Sequence, residues 1–192
     1  MKRHLAAFAV SSFLVAPVFA ADSYTIDPEY TAANFEIGHL GFTTQRGRFN
    51  KTSGKVTLDI TAKKGSVDFT IDTTSLDMGS APWSKSWVAH LSDEGLFNVK
   101  QFPTMSFKSD KLIFEGNKVV AAEGQFTMLG VTKPLKVEVK GFQCGANPMN
   151  KKPMCGGDVT AVLKRSDFGM TKYIPAVGDE VKTSVPVEAY KN

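Results

Sequence analysis

The sequence predicts an all-β, antiparallel fold with one short inserted helix, and three observations carry that expectation. Apolar residues fall on every second position in a train of short segments: Val56, Leu58 and Ile60; Val67, Phe69 and Ile71; Phe126 and Met128; Leu135, Val137 and Val139; Val159, Ala161 and Leu163; Val181, Val185, Val187 and Ala189. A period of two is the pattern of a strand with one dry and one wet face. Turn residues space these segments, as they do in a sandwich or a barrel. A single stretch, residues 81–97, departs from the pattern and takes helical spacing.

Taken in order, Ser23 to Ile26 reads as a first strand ended by Asp27-Pro28, and Ala33, Phe35 and Ile37 alternate through a second that runs into His39. A third element around Gly47 to Phe49 leads through a turn at Asn50 to Gly54 into Lys55 to Thr61, and Lys63-Lys64-Gly65 turns the chain into Ser66 to Thr73. Between Ala81 and Phe97, Trp83, Trp87 and Leu91 stand at i, i+4 and i+8, with Pro82 suited to a first helical turn and Gly95 to its end. Such a helix can lid one end of a barrel, or its tryptophans can simply anchor it on the sheet. Met105 with Phe107, then Leu112 with Phe114, mark two further strands, and Glu115-Gly116-Asn117 turns into a long strand from Lys118. Gly130 to Pro134 is a tight connection, followed by Leu135 to Phe142, Asp158 to Lys164 and Glu180 to Tyr190. The count is eight to ten strands in a single domain, residues 21–192.

Residues 1–20 stand apart. Lys2 and Arg3, an apolar stretch from Leu5 to Val15, and the small-residue site Val18-Phe19-Ala20 make a secretory signal peptide cleaved after Ala20, the alternative being a plain N-terminal extension. Export to the periplasm is expected, with an extracellular destination as the alternative. Loss of Lys2 and Arg3 lowers the net charge from +4 to +2, and no Lys/Arg cluster with interleaved aromatics is present, so nucleic acid is set aside as a partner. The two cysteines, Cys144 and Cys155, flank a turn-rich loop. In an oxidising compartment they are expected to form a disulfide, since a redox pair more often reads Cys-x-x-Cys and a structural zinc needs four ligands.

Signatures of catalysis are missing from the sequence. There is no His-Glu-x-x-His, nucleophile elbow, phosphate-binding loop or dinucleotide fingerprint, and the mature chain has two histidines, His39 and His90. Asp93-Glu94 and Asp179-Glu180 read as solvated turns. The expectation is a non-enzyme without a metal or cofactor. His39 continues the inward row of Phe35 and Ile37, where it is either hydrogen-bonded structure or a polar tether for a ligand; Arg46, Arg48, Arg165 and Lys172 are candidate anion contacts on loops.

Several motifs in fixed order resemble those of the YceI-like family: Asn34-Phe35-Glu36-Ile37-Gly38-His39-Leu40-Gly41-Phe42 with Gly47-Arg48-Phe49, then His90-Leu91, Leu96-Phe97-Asn98-Val99, Phe102-Pro103-Thr104-Met105-Ser106-Phe107, Gly130-Val131-Thr132-Lys133-Pro134-Leu135 and Arg165-Ser166-Asp167-Phe168-Gly169-Met170. The resemblance implies an eight-stranded antiparallel lipocalin-like barrel with an elongated apolar cavity for an isoprenoid lipid, such as a quinone or a prenyl phosphate. Phe35, Ile37, Phe69, Phe107, Phe126, Met128, Val137 and Leu163 are then expected to line the tail cavity, with His39 and Arg165 near the head group. The alternative is a filled barrel that supports a membrane b-type cytochrome or a stress response. The oligomeric state stays open, a homodimer included. Two features depart from the family: Ser92-Asp93 stands where Arg-Ser is common, and the Cys144/Cys155 loop is a local addition.

Overall fold

The computed structural model describes residues 21–192, so the expected signal peptide lies outside the described residues. The strands are β1 (Asp22–Ile26), β2 (Ala33–His39), β3 (Thr43–Phe49), β4 (Thr52–Asp59), β5 (Lys64–Asp72), β6 (Leu76–Asp77), β7 (Thr104–Glu115), β8 (Lys118–Met128), β9 (Val131–Ala146), β10 (Pro153–Lys164) and β11 (Val177–Lys191). The helix α1 (Ser84–Ser92) lies between β6 and β7.

Eight strands close an antiparallel ring in the order β1, β4, β5, β7, β8, β9, β10, β11, with β11 pairing back onto β1. Closure removes the free edges that a sheet of this size would otherwise expose. The long strand β11 serves two neighbours. Residues 189–191 pair with β1, whereas residues 177–184 pair with β2, which continues through β3 to the short β6. The break between β1 and β2 is sealed by Thr31, whose side chain is fully buried. Its hydroxyl accepts the N–H of Glu188 at 3.2 Å, and its carbonyl accepts the hydroxyl of Thr52 at 2.6 Å. A wall broken at that point keeps its polar groups paired, as burial requires.

Where two strands were expected around Met105 and Phe114, the chain forms one, β7. The register against β8 slips between Lys108 and Lys111, a bulge that moves the inward positions from Met105 and Phe107 to Leu112. The Ser109 hydroxyl steadies the bulge by donating to the Glu123 carbonyl at 2.7 Å and accepting the Lys111 N–H at 3.1 Å. Across from it, Gly124 is required: a Cβ there would run into the Lys108 carbonyl and the Phe107 ring.

The helix is shorter than its expected range, nine residues, and ends at Ser92, with Asp93 in extended backbone as its C-cap. Gly95 then takes a left-handed φ of 84°, and the chain folds back so that the N–H of Phe97 donates to the Leu91 carbonyl at 2.9 Å. This return inserts Phe97 against Phe49, with the rings edge to face at 5.2 Å, and against Phe35 at 6.3 Å. Cys144 and Cys155 face each other across β9 and β10 and form the expected disulfide.

A candidate ligand cavity inside the barrel

Alternation along the strands determines what faces inward. On β9 Leu135, Val137 and Val139 point in; on β10 Val159, Ala161 and Leu163; on β2 Ala33, Phe35, Ile37 and His39. Side chains of this size do not fill the ring. They leave a cavity of about 530 Å³, within the range of small-molecule sites. Its lining runs from Phe142, Cys155 and Gly156 near the start of β10 to Arg165, Lys172 and Tyr173 beyond its end. Twelve residues of strand at about 3.3 Å each give this wall a length of roughly 40 Å.

All eight residues expected to line a tail cavity border this space, and so do His39 and Arg165. Phe69, Phe107, Phe126, Met128 and Val137 are buried; Phe35, Ile37 and Leu163 are half-buried, their accessible faces turned towards the interior. Several lining residues escaped the sequence reading. Trp87, Leu91, Leu96 and Phe97 arrive from α1 and the segment after it, and the helical spacing of Trp87 and Leu91 was the available signal. Trp83 and Trp87 therefore divide: Trp83 remains largely exposed, whereas Trp87 borders the cavity and meets the His39 ring at 5.8 Å, edge to face.

The cavity has a mouth at one end. The exposed members of its lining, Leu40, His90, Lys172, Tyr173 and Ala176, gather where the β2–β3 turn, the end of α1 and residues 171–176 come together. The N–H of Leu40 donates to the Ala176 carbonyl at 2.6 Å, and the rings of His90 and Tyr173 stand 5.6 Å apart. Lys172 holds its ammonium 5.2 Å from the Tyr173 ring centroid. The hydrogen-bonding side chains of His39, His90, Lys172 and Tyr173 thus sit at the end of an enclosure whose lining is mostly apolar.

Arg165 occupies a different position from the one expected of a loop cation. It is 2% exposed, and its guanidinium donates to four backbone carbonyls: Gly178 at 2.8 Å, Met170 and Lys172 at 2.9 Å, and Val177 at 3.0 Å. Burial lowers its pKa and the carboxylate of Asp179 opposes that effect, yet a guanidinium stays charged throughout. The correction is physical. A planar fork with five donors suits a loop whose carbonyls converge on it, and four of the five are taken, so Arg165 builds the rim instead of standing free for an anion. Arg46 and Arg48 are likewise engaged, by Glu36 at 2.8 Å and by Asp77 at 3.4 Å. Among the described residues, no cluster of three or more His, Cys, Asp or Glu side chains could hold a metal ion.

Comparison with known proteins agrees with this geometry. The profile of the YceI-like domain matches residues 24–189. The protein YceI of Salmonella arizonae is 32% identical over 98% of this chain and 97% of its own length. A UPF0312 protein of Vibrio cholerae is 30% identical over 88% of this chain and 89% of its own. Among solved structures, BcnA of Burkholderia cenocepacia superposes with a TM-score of 0.68 at 27% identity, covering 85% of this chain and 98% of that one. A polyisoprenoid-binding domain from Saccharophagus degradans superposes at 0.60 and 14% identity, covering 88% and 98%, which is a likeness of fold.

Proposed function

The chain belongs to the YceI-like family, and from that premise we propose that it is a non-catalytic carrier holding one long isoprenoid lipid, of quinone or prenyl-phosphate type, inside the barrel. The observation that carries this reading is the cavity itself. Protein interiors pack as densely as organic crystals, and apolar space left empty forfeits the dispersion contacts that a filled core makes. A space of about 530 Å³ is therefore a standing cost to the fold, offset when an apolar guest occupies it. The same space counts against a filled barrel that acts only as an interaction module.

The arrangement of polarity supports a molecule with an apolar tail and a polar end. The walls offer a tail only apolar contact over most of their length, and each buried methylene is worth about 0.8 kcal/mol. His39, His90 and Lys172 stand where the polar end would emerge and can donate hydrogen bonds to a quinone carbonyl or a phosphate oxygen. Eight strands enclose a width suited to one slender ligand. The Cys144–Cys155 disulfide fits an oxidising compartment, and together with the expected leader supports a periplasmic location.

Replacement of Ala161 tests the reading. Ala161 faces the cavity from the middle of β10, so Ala161→Phe should fill the tail channel with an aromatic ring. The expected result is a protein of equal or higher unfolding midpoint that no longer binds a fluorescent isoprenoid probe. Unchanged probe affinity in a correctly folded Ala161→Phe variant would contradict binding inside the barrel.

A further inference from the structure

We propose that the mouth of the barrel is a docking surface for a phospholipid bilayer carrying anionic head groups, at which cargo passes between membrane and cavity without crossing water. The inference rests on the lipid-carrier reading and adds the surface through which it operates. Four large apolar side chains crowd the rim and face solvent: Phe42 is 90% exposed, Leu40 55%, Tyr173 47% and Ile174 37%. They belong to two neighbouring segments, because β2 ends beside the start of β11 and the Leu40 N–H is bonded to the Ala176 carbonyl. A soluble protein can scatter single apolar residues over its surface, but a cluster around one opening marks an interaction site.

Two details separate this rim from incidental exposure. Leu40 and Tyr173 line the cavity as well as facing solvent, so the apolar surface is continuous from the inner wall to the outside. The backbone at both residues is left-handed, with φ of 55° and 67°. A bulky side chain is disfavoured there, and asparagine or glycine would serve the turns better. Residues held in strained backbone, turned to water and adding nothing to the core, are what a functional surface costs a fold.

The chemistry favours a bilayer as the occupant. Aromatic and aliphatic side chains with a lysine whose stem runs along apolar surface form an interfacial anchor, with the rings at head-group level and the ammonium among phosphates. Lys172 is that lysine: its side chain lines the cavity, its ammonium stands over Tyr173, and it forms no ion pair among the described residues, Asp93 and Glu94 of the adjoining segment included. A tail drawn from such a surface enters the barrel along Leu40 and Tyr173 with little exposure to water.

The test is co-sedimentation of the purified protein with vesicles of mixed phosphatidylglycerol and phosphatidylethanolamine, alongside binding of a short-chain quinone analogue in free solution. Wild type should sediment with the vesicles, and Phe42→Asp should weaken this by at least about tenfold, the equivalent of losing one inserted ring. Leu40→Asn should also weaken it while its unfolding midpoint stays equal or rises, because asparagine tolerates the left-handed backbone. Phe42→Asp, whose side chain lies outside the cavity lining, should bind the quinone analogue as wild type does. Wild-type protein that stays in the supernatant, or Phe42→Asp that sediments as well as wild type, would overturn the proposal, including in favour of a protein partner at the same rim. Failure of the analogue to bind wild type, with sedimentation intact, would overturn the lipid-carrier reading and leave the docking surface standing.

Discussion

Arg165 shows at the scale of one residue how a surface reading can mislead. In the sequence it is a cation on a loop after a strand; in the fold, four carbonyls of residues 170–178 close around it. The inward row of β2 was legible because alternation reaches His39 without a break, but convergence of carbonyls on a guanidinium depends on tertiary structure and leaves no local pattern. Arg165→Met should destabilise the protein by about 3 kcal/mol or more, since hydrogen bonds to a charged group contribute about 1.5–3 kcal/mol each. Urea unfolding measures it, and a loss within the scatter of surface substitutions would contradict the assigned role.

Two carboxylates give the fold an acid dependence. The backbone N–H and hydroxyl of Ser166 hold the Asp179 carboxyl below its usual range, and the amide of Asn50, then the Gly79 N–H, do the same for Asp77. A group whose folded pKa is depressed contributes stability that is fully present above its unfolded value, about 3.9 for aspartate, and lost as pH falls through the folded value. These two contributions should therefore be constant from neutral pH to about 4 and disappear below it. An Asp77→Asn, Asp179→Asn variant should show a shallower fall of the urea midpoint on acidification; a fall as steep as that of wild type would rule these groups out as its source.

At the scale of elements, the sequence was readable where periodicity was clean and misleading where phase changed. The stretches Leu135 to Val139, Val159 to Leu163 and Val181 to Ala189 each keep one phase, and their inward faces follow directly. In β7 the bulge at Ser109 shifts the phase between Phe107 and Leu112, which splits one strand into two apparent ones. The helix was legible from Trp83, Trp87 and Leu91, but its length was not, because Leu96 and Phe97 are apolar for a different reason: they return from α1 to the cavity wall. The β9–β10 hairpin carries its own prediction. Its disulfide closes a loop with a sequence separation of 11, and Cys144→Ser with Cys155→Ser should lower stability by about 2–3 kcal/mol on the chain-entropy account. Denaturant unfolding with and without reductant checks this, and a reductant effect that persists in the double variant would point away from the bridge.

For the whole molecule, alternation predicts an enclosure but leaves sandwich and barrel equally open, since closure depends on β11 meeting β1 from opposite ends of the chain. The motifs around His39, His90, Pro134 and Arg165 supplied what periodicity could not, through resemblance to a family of known architecture. The interior space was hardest to foresee. Strand periodicity says which residues face inward and nothing about whether their volumes sum to a full core; here Ala33 and Ala161 among larger neighbours leave a channel. The mouth was hidden for a related reason, since Leu40, His90 and Tyr173 belong to three segments that meet only in the folded ring.

The most direct test of the carrier reading is native mass spectrometry of the protein purified from its own host, with extraction and identification of any lipid released. The account predicts a stoichiometric adduct, one isoprenoid lipid per chain, that is lost on unfolding and absent from Ala161→Phe. Protein that is recovered empty from repeated preparations, and that takes up neither quinones nor prenyl phosphates when these are supplied, would contradict it.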